Sequence, residues 1–242
     1  NHASLPVAKR PRVAILSPGD ELVPPGANPG PDQIVSSNSF AIHALVVQAG
    51  GEPIDLGIAG DDFASLEAAI TKARNLNVDI LVTIGGASVG DHDLVQTALA
   101  REGMELGFWK IAMRPGKPLI HGSLGLMSIL GFPGNPVSAI VCGHLFLVPL
   151  IRAFCGDPNA GAMPLKPALL GESLKANDGR ADFMRAELEP NKYGLPFVRP
   201  YAVQDSSLLS ALAKSQGLLV REPHAPPASI GDLCFIIPIN NW

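Results

Sequence analysis

The sequence is sparing with cysteine, with charge and with uninterrupted apolar runs. Its three cysteines, Cys142, Cys155 and Cys234, stand far apart, which excludes the paired spacing of a cysteine metal site. Cys142 and Cys234 sit inside apolar runs and Cys155 ends one, so they read as reduced packing residues. Charged residues make up only 17% of the chain, and the formal net charge is -4. A nucleic-acid partner drawn by bulk charge is thereby excluded, and any anionic ligand must be held by local cations and backbone amides. The longest apolar run, Val137 to Ile151, contains His144 and Pro149 and falls short of the roughly 20 residues a membrane span needs. No N-terminal stretch shows the basic, apolar and small-residue order of a signal peptide, so the expected location is cytoplasmic. No repeat or low-complexity tract stands out. What remains is a soluble globular composition, 47% hydrophobic over 242 residues, with ample length for a core.

Up to residue 157 the pattern alternates between strand-like and helix-like segments. Arg12 to Leu16 and Ile54 to Ile58 read as strands, and Val78 to Ile84 is rich in β-branched residues. Ser39 to Ala49 reads as a helix, with Ser36, Ser37 and Asn38 as candidate caps and Gly50-Gly51 as its stop. Asp61-Asp62 open a second helix with Leu66, Ala69, Ile70 and Ala73 at helical spacing. A third runs from about Asp93 to Arg101, followed by a strand around Leu106 to Ile111. Ser123-Leu124-Gly125 reads as the turn of a hairpin, and Asn135 as the cap of a long helix with Pro136 in its first turn. Repeated β-α units predict an α/β domain, a mostly parallel sheet covered on both faces. After Gly156-Asp157-Pro158 comes a linker-like stretch rich in Gly, Ala and Pro. Short β-like segments follow, Ala168–Leu170, Phe183–Leu188, Phe197–Arg199, Leu218–Val220 and Leu233–Ile237, and predict a small β-barrel or sandwich. The division expected is residues 1–158 and 163–242.

Four loops carry chemistry, and in a parallel sheet they should gather at the carboxyl ends of the strands. Ser17-Pro18-Gly19-Asp20-Glu21 follows the first strand, although a plain turn with solvated carboxylates explains it equally well. Thr83 to Asp93 runs a strand into a glycine-rich loop that opens a helix. There Gly85 and Gly86 let backbone approach a ligand, and helix-start amides favour an anion. A tight turn with Asp91 as cap is the simpler alternative, but Asp91 and Asp93 add carboxylates that a phosphate tolerates only with a divalent cation between them. Lys110, Arg114 and Lys117 place three cations in eight positions, suited to a small dianion or to a solvated basic turn. Finally Pro133-Gly134-Asn135-Pro136 fixes the entry to the long helix, with Ser138 in its first turn.

SPGDEL, SSN, GGASVGDHD, MRPGKP and GFPGNPVS, in this order, resemble the molybdopterin molybdenumtransferase family, which includes bacterial MoeA-type enzymes and the gephyrin E domain. The resemblance runs through essentially the whole chain. It implies a three-layer α/β/α molybdopterin-binding domain followed by a small C-terminal β domain. It also implies a Mg²⁺-dependent reaction in which adenylated molybdopterin is cleaved, AMP leaves and molybdate is taken up. Carried over by motif, Glu21, Asp61 and Asp93 are the expected metal-site and reaction carboxylates. Gly85, Gly86 and Ser88 would lie against the phosphates with Asn38 nearby, and Pro133, Gly134 and Asn135 would shape the ligand site. Arg114, Lys117, Ser138 and Arg180 match the positions expected to hold molybdate, Lys117 also serving the reaction. The physical fit is that of a tetrahedral dianion met by cations and a helix start.

Departures are also present. Pro18 stands where the family commonly has Thr, and Arg114 where it usually has Lys, so a planar fork replaces a point charge. His92 fills a variable position and is expected to face solvent. Family members carry an N-terminal half that this chain is expected to lack, and residues of that half in a homodimer partner help complete the site. Two other functions compete. A molybdopterin adenylyltransferase on the same fold would show a GGTG-type loop, which Gly85-Gly86-Ala87-Ser88 does not supply, though such an enzyme could be a partner. A non-catalytic molybdopterin-binding or scaffold module is the other.

Overall fold

A computed structural model of the chain describes residues 1–86 and 94–239. Strand β1 (Arg12–Pro18) leads through β2 (Leu22–Val23) and β3 (Ile34–Val35) into helix α1 (Asn38–Gln48). Then come β4 (Glu52–Ala59), α2 (Phe63–Asn75), β5 (Ile80–Ile84), α3 (Leu94–Arg101) and β6 (Glu105–Trp109). The two-residue β7 (Met113–Arg114) precedes the hairpin β8 (Ile120–Leu124) and β9 (Met127–Phe132). One continuous helical rod follows, α4 (Pro136–Cys142), a π-helical stretch (Gly143–Leu147) and α5 (Val148–Phe154). The remainder comprises β10 (Lys166–Leu170), β11 (Ala181–Glu189), β12 (Phe197–Pro200), α6 (Leu209–Lys214), β13 (Gly217–Arg221) and β14 (Leu233–Pro238).

The first sheet has the order β4-β1-β5-β9-β8-β6. β4, β1, β5 and β9 are mutually parallel, while β8 runs antiparallel to both β9 and β6. The run Ile80–Ile84 is buried at every position because helices cover both faces. On one face Ile42, Leu45 and Val46 of α1 share a core with Ala139, Cys142, Leu147 and Ile151 of the rod. On the other, Leu66, Ile70 and Ala73 of α2 pack with Val95, Ala98 and Leu99 of α3. The expected mostly parallel, doubly covered sheet is therefore present, and a chain that leaves β1 in one direction and returns on its other side creates a crevice between β1 and β5.

The second sheet runs β12-β10-β14-β13-β11 and closes through a β11–β12 pairing into a barrel of five strands, the barrel alternative of the two expected. β7 adds to its outside, Met113 opposite Ala181 and Arg114 opposite Asp182. The barrel rests on the rod through a third core, in which Met113, Val137 and Val141 meet Phe183, Leu218 and Ile237. At 19 residues, Pro136–Phe154 is long and apolar enough to cross a membrane by length and composition alone. Burial against two cores at once accounts for that apolarity, so the rod is a core helix.

Candidate ligand site at the carboxyl edge of the sheet

The parallel strands deliver their last residues, Pro18, Ala59, Ile84 and Phe132, to one edge. There a cavity of about 630 Å³ opens between β1, β5, β9 and the starts of α1 and α4. Glu21, Asn38, Gly85, Pro133, Gly134 and Asn135 of the anticipated residues all line it, together with Ser36, Ser37 and Ser207. Gly85 explains how the walls come so close. Its φ of +102° is a conformation side chains avoid, and a Cβ there would lie 3.1 Å from the Pro18 carbonyl. Gly134 approaches it from the β9 side, and the Asn38 amide donates to the Gly134 carbonyl at 2.7 Å, tying α1 to the β9 loop. Gly86, at φ +68°, packs against Val95 of α3.

The start of α1 faces this cavity with Ser36, Ser37 and Asn38, and Ser37 is the residue before the helix without a side-chain cap. Its amides and axial dipole favour negative charge there. The start of α4 differs from expectation. Asn135 does not cap it by side chain; its amide donates instead to Ser206 Oγ at 2.9 Å. The Val137 amide, expected to point at an anion, is taken by the Ser206 carbonyl at 3.1 Å. Ser138, buried just inside that turn, keeps its place in the helix start.

The carboxylates divide between two surroundings. Glu21 folds back over Gly19 and lines the cavity. Asp61 sits with Asp20 beyond β1 and β4, each accepting from the other's backbone amide, at 3.4 Å and 3.1 Å. Asp62 caps α2, accepting from the Ser65 amide at 2.8 Å and hydroxyl at 2.7 Å, which holds its carboxyl below the usual range. Carboxylate oxygens are the donors a hard cation such as Mg²⁺ takes. Among the described residues no three acidic, histidine or cysteine side chains converge on one point. Ser88, Asp91, His92 and Asp93 lie outside the described residues.

Two of the expected cations, Arg114 and Arg180, form a third cluster. Arg114 donates to Asp182 at 2.6 Å and lies 3.5 Å from Asp178; Arg180 reaches the same Asp178 at 2.7 Å. Asp178 thus bridges the two guanidiniums, chiefly through its bonds to Arg180, and its carboxyl is pulled down to about 2. Arg114 is raised above its ordinary value mainly by the Asp182 bond. Lys117 is exposed on the loop between β7 and β8, whose Pro118 lines the cavity. Arg114 and Arg180 therefore meet as anticipated, but in contact with carboxylates.

Comparison with known proteins decides the family. Residues 14–153 match the family described as probable molybdopterin binding domain, and residues 167–239 the MoeA C-terminal region (domain IV). The chain belongs to the molybdopterin-binding domain family. A molybdopterin molybdenumtransferase of Haemophilus influenzae is 36% identical over 230 residues, covering 95% of this chain and 56% of that protein. One from Nostoc is 44% identical over 153 residues, 62% of this chain and 35% of that protein. The crystal structure of a molybdopterin biosynthesis MoeA protein from Pyrococcus horikoshii superposes with a TM-score of 0.79 at 30% identity, over 96% of this chain and 55% of that one. The chain spans about half the length of the relatives it matches.

In this member of the molybdopterin-binding domain family, the sequence alone did not reveal the contribution of the 205–207 turn, which lies in the region matched to the MoeA C-terminal domain. Asp205 accepts from both the Ser207 amide and hydroxyl at 2.8 Å, which shapes the turn, and Ser206 then covers the start of α4. Asp-Ser-Ser is a recognisable turn signal, but nothing local reveals its partner 71 residues away. Asp178 and Asp182 were missed for the same reason.

Proposed function

We propose that the chain forms the substrate-binding and reaction part of a molybdopterin molybdenumtransferase, which inserts molybdate into adenylated molybdopterin with release of AMP. The observation that carries this reading is the convergence of the β1, β5 and β9 loops and the α1 start on one cavity at the sheet's switch point. In this reading the bare backbone at Gly85 and Gly134 admits the phosphates, and the α1 start supports their charge. Arg114, Lys117, Ser138 and Arg180 receive molybdate. To do so Arg180 exchanges Asp178 for the incoming dianion. That exposed pair is screened by solvent and gives way readily, whereas Asp182 continues to orient Arg114. Glu21, Asp61 and Asp93 are the residues that would hold magnesium, whose bound charge would offset repulsion between phosphate and carboxylates. We propose residues 1–158 and 163–242 as the two units, a cytoplasmic setting, and a homodimer served by an adenylyltransferase.

A non-catalytic molybdopterin-binding module is the second reading, favoured by the commitment of Asp20 and Asp61 to each other's amides. Incubating the purified chain with adenylated molybdopterin, molybdate and Mg²⁺ separates the two. AMP release requiring both additions supports the transferase, and tight binding without release supports the module. Asp93→Asn is expected to abolish release while ligand still binds, and Lys117→Ala to raise the molybdate concentration needed. Unchanged turnover in Asp93→Asn removes Asp93 from the mechanism, and an unaltered molybdate requirement in Lys117→Ala removes Lys117 from its role.

A further inference from the structure

Among the described residues the largest fully buried side chain is a cation. Arg185 on β11 is 1% exposed, and its Nε is buried with no hydrogen-bond partner. Strand alternation sets it on the same face as Phe183, which packs against Val137 and Val141 of α4, whereas Met184 and Ala186 point into the barrel. Arg185 Nη2 donates to the Asp205 carbonyl at 3.1 Å. Gln204 clamps the Arg185 backbone, accepting from its amide and donating to its carbonyl, both at 2.9 Å. From Asp205 the contacts continue without a gap. Its carboxylate shapes the turn through Ser207, Ser206 binds Asn135 and the Val137 amide, and Ser207 lines the cavity.

Stability alone does not account for this arginine. Among the described residues no carboxylate lies within salt-bridge distance of it, and burial lowers its pKa while Asp182 and Asp205 oppose that from further away. Even buried ion pairs are often replaced by apolar side chains of similar volume at little or no cost, and a buried cation with no carboxylate beside it contributes less to stability than such a pair. Among the described residues its side chain makes one hydrogen bond, and that bond is to the turn that meets the start of α4.

We infer that Arg185 is a positioning residue for the ligand cavity, acting through the 205–207 turn on Asn135 and the first turn of α4. The proposal rests on the reading of that cavity as the nucleotide site. It makes the barrel, which does not otherwise line the cavity, responsible for the placement of one wall.

The test compares wild-type protein, Arg185→Met and Arg185→Lys by three measurements: thermal midpoint, AMP affinity by calorimetry, and the backbone amide resonance of Val137. Arg185→Met is expected to keep its midpoint within about 2 °C, to bind AMP about tenfold more weakly and to displace the Val137 resonance. Arg185→Lys, which retains a donor for the Asp205 carbonyl, is expected to recover most of the affinity. Unchanged AMP affinity in Arg185→Met overturns the proposal. So does affinity that falls only in step with the midpoint and is not recovered by lysine. If the wild-type protein does not bind AMP, the nucleotide reading of the cavity fails by itself. The Val137 resonance then decides the role of Arg185: displacement in Arg185→Met supports positioning, and an unmoved resonance overturns it.

Discussion

Replacing Gly85 with alanine tests the closeness of the β1, β5 and β9 loops directly. Two costs add at this position. Holding a non-glycine residue at φ +102° costs about 1–3 kcal/mol. The new Cβ also meets the Pro18 carbonyl at 3.1 Å, and that oxygen belongs to a strand end that cannot swing aside as a side chain would. With about 1 kcal/mol added for the crowding, the sum is about 2–4 kcal/mol, which for a chain of this size lowers the thermal midpoint by roughly 5–15 °C. The same displacement widens the crevice and weakens AMP binding. Gly125→Ala is the control, because Gly125 has φ +61° and no atom within 4 Å of where its Cβ would stand, leaving backbone strain of about 1 kcal/mol and no route to the cavity. Urea unfolding and calorimetric titration with AMP on both variants provide the comparison. Equal destabilisation of the two, with AMP affinity untouched in Gly85→Ala, would refute the account of how the loops converge.

Two further expectations concern pH. His144 lies on the π-helical stretch beside an apolar cavity of about 440 Å³, and burial pushes its pKa down to about 4 from 6.5. The unfolded chain takes up this proton first, so stability is complete above 6.5 and declines as pH falls toward 4, by about 3 kcal/mol at most. His144→Gln should flatten that part of the urea-midpoint profile, and an identical slope in the variant would show that other groups cause it. Asp62, lowered by its bonds to Ser65, stabilises the fold fully above the ordinary 3.8 and loses that effect as pH falls through its lowered value. Asp62→Ala should therefore be less stable than wild type at neutral pH, with the two curves meeting in strong acid; a constant gap at all pH values would contradict a charged cap.

What could be read from the sequence, and what could not, divides by the range of the interaction. Val78 to Ile84 announces a central strand because burial on both faces demands an unbroken apolar run, and the glycines after it mark the loop where backbone must come close. Asp62 is legible as a cap because its partner is three residues away. Asn135 looked the same locally, yet its amide is drawn to Ser206, a competitor that only the folded barrel brings near. β7 escaped notice because two residues have no period, and it is a strand only by virtue of Ala181 and Asp182. α6 is one short turn and a half whose apolar side is defined by α4 and β11 rather than by its own pattern. The site residues on the glycine loops were therefore foreseeable as a group. The carboxylates that hold Arg114 and Arg180 were not, since their positions depend on the pairing of β7 with β11.

That pairing also bears on where the chain can be divided. The sequence changes character near residue 158, and the proposed units are residues 1–158 and 163–242. Yet Met113, Val137 and Val141, which are 2%, 0% and 0% exposed, owe part of their burial to Phe183, Leu218 and Ile237 beyond that boundary. Fully burying such side chains stabilises by about 1.5–3 kcal/mol each, so uncovering the three forfeits several kcal/mol of a total that is typically about 5–15. The barrel also supplies Ser206 to the start of α4 and Asp182 to Arg114. Residues 1–158 expressed alone should accordingly unfold at a clearly lower urea concentration than the whole chain, or associate through the uncovered face of α4. If the fragment matched the whole chain in urea midpoint and remained monomeric by light scattering, the third core would not contribute as described, and the barrel would be an appendage rather than one wall of the support on which the cavity is built.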